Sequence, residues 1–84
     1  MTGTEPLILT AIQEGIGRAI RLHRVRRDLR QYELADAAGI APTRLCRIER
    51  GRTMPNLAEL VRLGQALGVS AADLIREGET DIAA

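Results

Sequence analysis

Ten of the chain's twelve arginines fall between residues 18 and 52, and lysine is absent. Against them stand only Asp28, Glu33, Asp36 and Glu49, a balance of +6, while residues 1–17 carry −2 and residues 53–84 carry −3. A net charge of +1 therefore conceals a basic middle between two acidic ends. Such asymmetry suits a surface that meets a polyanion. Guanidinium groups add geometry to charge, because their planar fork can give two parallel hydrogen bonds to a phosphate or to a base edge. The stretch "APTRLCRIERG", residues 41–51, concentrates this chemistry in three arginines, one acid and the only cysteine.

Helical spacing sorts that stretch into two sides. Leu45, Ile48, Glu49 and Arg52 share one, whereas Thr43, Arg47 and Arg50 share the other. Glu49 thus lies four residues from core-facing Leu45, where an unpaired carboxylate is expensive. Upstream, Ile12, Ile16, Ile20 and Arg24 recur at intervals of four, joined by Ala19, so a charge also extends an apolar stripe there. An Arg24–Glu49 pair across two helices accounts for both anomalies. The outward arginines are left for a separate task.

The rest of the chain offers little other chemistry. No nucleophile–base pair, metal-ligand spacing or phosphate-binding glycine loop is present, so neither catalysis nor a cofactor is expected. Cys46 has no second thiol and reads as a small packing or groove-facing residue. A lone cysteine excludes an internal disulfide and fits the reducing cytoplasm. His23 reads as a surface or phosphate-edge residue, and Tyr32, the only aromatic, serves either packing or phosphate contact. One aromatic is too few for the base stacking on which single-strand and RNA binders rely. "PLILTAI" is too short to span a bilayer and lacks a preceding basic residue, so neither membrane insertion nor a signal peptide is expected.

The elements that must hold these residues are helical, and a chain of 84 residues sets the scale at one domain. A first helix is expected over about residues 6–28, with a break where Gly15 and Gly17 weaken it. "RQYELADAAG" predicts a second, with Leu34, Ala35 and Ala38 inward and Gly39 as a left-handed stop. Its capping position is held by Arg30, a local defect. A third begins at Pro42 and ends before Gly51. Asn56 and Glu59 approximate a capping box for a fourth, whose apolar face is Leu57, Leu60, Val61, Leu63 and Leu67. Ser70 and Asp73 repeat that logic for a fifth, followed by a frayed acidic tail. The domain organisation is an N-terminal helical extension at 1–15, a binding domain at 16–76 and a flexible acidic tail at 77–84.

Two short helices joined by "AGIA", the second presenting Thr and Arg outward, describe a helix-turn-helix. "Q-x-x-L-A" at residues 31–35, "A-G-I" at 38–40 and "I-E-R-G" at 48–51, followed by "P-N-L" and "A-L-G-V-S", resemble the phage repressor and Cro type of DNA-binding domain. The resemblance covers about residues 16–75. It implies an all-α, compact five-helix, lambda-repressor-like domain whose third helix enters the major groove of double-stranded DNA. It also implies base contacts by Pro42, Thr43, Arg44, Cys46 and Arg47, with phosphate contacts by Gln31, Arg50, Arg52 and Asn56. Gln31 has the alternative of bracing the recognition helix. An inward Arg–Glu pair recurs in that family and agrees with Arg24–Glu49.

The sequence departs from the pattern at Arg30 and Ala41, where small hydroxyl residues usually cap the second and third helices. Pro42 replaces a polar base reader, which shifts readout toward the arginines. The function that the resemblance implies is that of a sequence-specific transcription regulator acting on operators in the nucleoid. It would be a repressor that binds a near-palindromic site as a homodimer, pairing through the last helix or an exposed "PLILTAI" face. The alternative role is an antitoxin that binds a toxin protein and represses its own operon. Contacts with a toxin or with RNA polymerase have no readable signature.

Overall fold

Helical periodicity and turn residues produce five helices in the computed structural model, which describes residues 5–83 and the side-chain surroundings of residues 6–80. Helix α1 spans Glu5–Arg26, α2 Gln31–Ala38, α3 Pro42–Glu49, α4 Leu57–Leu67 and α5 Ala71–Ala83. No strand occurs among the described residues. Residues 1–4 of the expected extension and Ala84 of the expected tail lie outside the described residues.

The stripe Ile16, Ala19 and Ile20 of α1 is buried, as are Leu34, Ala35 and Ala38 of α2, Leu45 and Ile48 of α3, and Leu74 of α5. Helix α4 adds Leu60, Leu63 and Leu67 to the same core, but not Leu57 or Val61. Those two are 68% and 41% exposed, whereas Gly64 is buried with the inward face of α4.

The expected break in α1 is absent. Gly15 and Gly17 sit inside a continuous helix because other backbone needs their space. A Cβ on Gly17 would strike the carbonyl oxygen of Ile48, and one on Gly15 would strike Gly78. Close approach of helices α3 and α5 thus offsets the entropic cost of glycine within a helix. The same contact explains why α5 extends to Ala83 through most of the stretch expected to fray: Gly78 is buried against Ile16.

Turn chemistry fixes the connection between α2 and α3. Gly39 adopts φ +65°, and the N–H of Ile40 returns to the carbonyl of Ala35 at 2.9 Å, which ends α2 in a left-handed cap. The Arg62 Nε donates to the carbonyl of Ala38 at 2.8 Å, placing a cation at the C-terminus of α2. Arg30 stands at the α2 N-cap as expected. Its guanidinium cannot accept a hydrogen bond, so only half of a capping box forms, from the Arg30 N–H to Glu33 at 2.8 Å.

Candidate nucleic-acid interface

The inward side of α3 ends in the expected ion pair. Arg24 Nε and Nη2 donate to the two oxygens of Glu49 at 2.8 and 3.0 Å, while Nη1 donates to the carbonyl of Leu29 at 2.9 Å. The two side chains are 14% and 3% exposed. Hydrogen bonding to Glu49 raises the Arg24 pKa above its ordinary value, against the opposing effect of burial. Gln31 adds a third donor, from Nε2 to Glu49 at 3.1 Å. Of its two expected roles, bracing is therefore the one seen. A single carboxylate thus gathers α1, α2 and α3.

Arg44 makes an ion pair that no sequence motif marks. Expected to face bases, it gives Nε and Nη2 to the two oxygens of Glu59, the second at 2.8 Å. Helical geometry explains the pairing. Arg44 lies four residues before buried Ile48, so it occupies the shoulder of the inward side, within reach of α4. Asn56, expected at a phosphate, is engaged as the α4 cap. Its Oδ1 accepts from the Glu59 N–H at 2.8 Å, and its own N–H donates to Glu59 at 2.8 Å. Glu59 therefore closes a capping box and an interhelical ion pair with the same buried carboxylate.

Hydrogen bonds from Arg44 lower the Glu59 pKa from about 4.5 to about 2, and the Asn56 N–H and the charge of Arg62 act in the same direction against burial. A carboxyl whose pKa is depressed on folding adds stability that is complete above its unfolded value and is lost as pH falls toward the folded one. The expected window is thus from about pH 4.5 down to about 2. In urea titrations across that window, Glu59→Gln should remove up to one proton's dependence, about 1.4 kcal/mol per pH unit. Identical pH dependence in the variant and the parent chain would show that Glu59 is not held in this way.

With Arg24, Arg44, Asn56 and Gln31 engaged internally, the outward side of α3 is formed by Pro42, Thr43 and Arg47, all exposed. Arg50 and Arg52 follow, also exposed. Gly51, at φ +73°, turns the chain, and the Arg52 N–H bonds to the carbonyl of Arg47 at 2.9 Å. The Gln13 Nε2 anchors that turn through the Gly51 carbonyl at 2.8 Å, a long-range contact with no signature in the sequence. Cys46 is half-buried in a recess of about 310 Å³ that Arg21, Gln31 and Arg50 also line. Arg21, which no sequence motif marks, is thereby brought to the basic face by α1. Tyr32 is exposed on α2, so packing is not its role. His23 is not a plain surface residue, since its Nε2 meets Glu77 of α5 at 2.9 Å.

Among the described residues, no group of three or more His, Cys, Asp or Glu side chains is placed to hold a metal ion. No helix among them is long and apolar enough to cross a membrane. The exposed Arg47, Arg50 and Arg52 can make charge-assisted hydrogen bonds, and the small side chains of Ala41, Pro42 and Thr43 at the start of α3 permit close approach.

These features define a helix-turn-helix domain of the Cro/C1 type. The chain belongs to the helix-turn-helix family, whose pattern matches residues 20–74. It is similar to the transcriptional repressor RstR of the cryptic phage CTXphi in Vibrio cholerae, with 36% identity over 63 residues, or 75% of this chain and 57% of the repressor. The aligned stretch thus covers little more than half of that relative. Among solved structures, the clp gene regulator ClgR of Corynebacterium glutamicum superposes with a TM-score of 0.80 at 33% identity, covering 86% of this chain and 77% of ClgR. The restriction-modification controller protein C.AhdI of Aeromonas hydrophila gives 0.71 at 26% identity, covering 74% and 94%.

Proposed function

We propose that this chain is a sequence-specific, double-stranded-DNA-binding transcription regulator, a repressor that lays α3 in the major groove of its operator. The observation that carries this reading is the division of labour on α3. Its inward charges are consumed by Arg24–Glu49 and Arg44–Glu59, while Thr43, Arg47, Arg50 and Arg52 stand exposed beside one another in sequence. A guanidinium at Arg47 suits the O6 and N7 of guanine, Pro42 suits a thymine methyl, and Arg50 and Arg52 suit phosphates. The similarity to a phage repressor favours repression, and no observation favours the antitoxin role.

The regulator acts as a homodimer on a near-palindromic site. One such module buries modest DNA surface, and two-fold pairing would set two recognition helices about 34 Å apart, one turn of duplex. Leu7, Ile8 and Leu9 at the start of α1 are 71%, 47% and 51% exposed, an apolar segment that pairing would cover in part. Sedimentation at tens of micromolar should therefore give a dimer, and an isolated half-site should bind far more weakly than the full site. A monomer that binds the half-site with full affinity would overturn this assembly.

A further inference from the structure

The first turn of α3 is poorly specified by its own sequence. Ala41 at the N-cap offers no side-chain acceptor and no acid lies in the first turn, so Pro42 at the first helical position is its one local start signal. A cation, Arg44, sits there instead, where the helix dipole disfavours positive charge. Yet this turn carries Pro42 and Thr43, the residues whose placement against base edges the proposed function requires. The missing negative charge is supplied from another helix: Glu59 of α4, 5% exposed, binds the Arg44 fork. Glu59 is itself held by Asn56, so its position is set by the start of α4 and not by α3.

We infer that the Arg44–Glu59 pair is a positioning device that fixes the first turn of the recognition helix and thereby sets base specificity without either residue reading a base. The inference rests on the DNA-reading function proposed above. It separates the two ends of α3. Arg24–Glu49 secures the C-terminal end, near Arg50, whereas Arg44–Glu59 secures the N-terminal end, near Thr43. Loss of the second pair should loosen only the base contacts made from the first turn. Arg47, one turn further on, and the phosphate contacts of Arg50 and Arg52 should persist.

Glu59→Gln tests this cleanly, because glutamine serves a capping box as glutamate does while lacking the charge that holds Arg44. Arg44→Lys is the second variant, since it keeps the cation but loses the bidentate fork. Each is titrated against the duplex that the parent chain selects from a random pool, a scrambled version of it, and versions changed at single base pairs. Folding is checked by circular dichroism. Both variants should lose about tenfold in preference for the selected over the scrambled duplex, confined to the base pairs under the first turn of α3. Binding to the scrambled duplex, and its salt dependence, should stay as in the parent chain.

A folded variant with an unchanged preference would overturn the inference, leaving the pair a purely structural contact. So would a parallel fall in specific and non-specific binding, or failure of both variants to fold. A parent chain that itself bound selected and scrambled duplexes alike would overturn the DNA-reading function, and the inference with it.

Discussion

Glu49→Ala is expected to destabilise the domain by about 3–5 kcal/mol, a large fraction of the stability of a domain this small. The loss comes from stranded partners. Glu49 receives hydrogen bonds from Arg24 Nε, Arg24 Nη2 and Gln31 Nε2, and its side chain is 3% exposed. With the carboxylate gone, Arg24 keeps only the Leu29 carbonyl for a guanidinium that is 14% exposed. The cost is the desolvation of an unmatched charge, larger than the net worth of the intact pair. The same change unties α1, α2 and α3 together, so no single helix can relax to compensate. Glu49→Gln, which keeps volume and one acceptor, should lose less, and Arg50→Ala on the exposed side should change little. Urea denaturation followed by circular dichroism measures all three. An unchanged midpoint for Glu49→Ala would contradict the pair as the internal anchor of α3.

That anchor was legible in the sequence because it broke a pattern at two places at once. A charge on an apolar stripe is informative, and Arg24 and Glu49 each extended one. Caps were equally legible: Gly39, Asn56 with Glu59, and Ser70 with Asp73 act at short range, where side-chain chemistry alone decides the backbone. Contacts between distant segments were less accessible. Gly15 and Gly17 read as helix weaknesses because the backbone of Gly78 and Ile48 that fills their space lies far along the chain. Arg44 read as outward because its partner is on α4, although its spacing from Ile48 carried the signal. Leu57 and Val61 read as core because periodicity marks an apolar face but not where the neighbouring helices end.

Arg47→Ala and Arg52→Ala are expected to have opposite signatures in DNA binding. Arg47 stands on the exposed side of α3, one turn after Thr43, where a fork can reach guanine O6 and N7 together. Such a contact discriminates by about 1–3 kcal/mol against the wrong base. Arg52 lies beyond Gly51 in the turn tethered by the carbonyl of Arg47, where a side chain meets the sugar–phosphate wall. Phosphate contacts carry no base identity, but each displaces condensed counterions. Arg47→Ala should therefore relax preference at one base pair per half-site and leave non-specific binding nearly intact. Arg52→Ala should weaken all duplexes alike and flatten the plot of log K against log salt by about one unit. Exchange of the two signatures would mean that α3 is turned about its axis, with Arg52 rather than Arg47 toward the bases.

Selection of bound sequences from random duplex DNA, run in parallel with the parent chain and Arg47→Ala, distinguishes base readout by α3 from binding through phosphates alone. The parent chain should enrich an inverted repeat with half-site centres about 10 base pairs apart, the spacing of two recognition helices on one face of the duplex. The Arg47→Ala pool should keep that repeat and lose preference at one symmetric pair of positions. Recovery of no enriched motif by the parent chain, or of the same motif at full strength by Arg47→Ala, would contradict readout of the operator by the exposed side of α3.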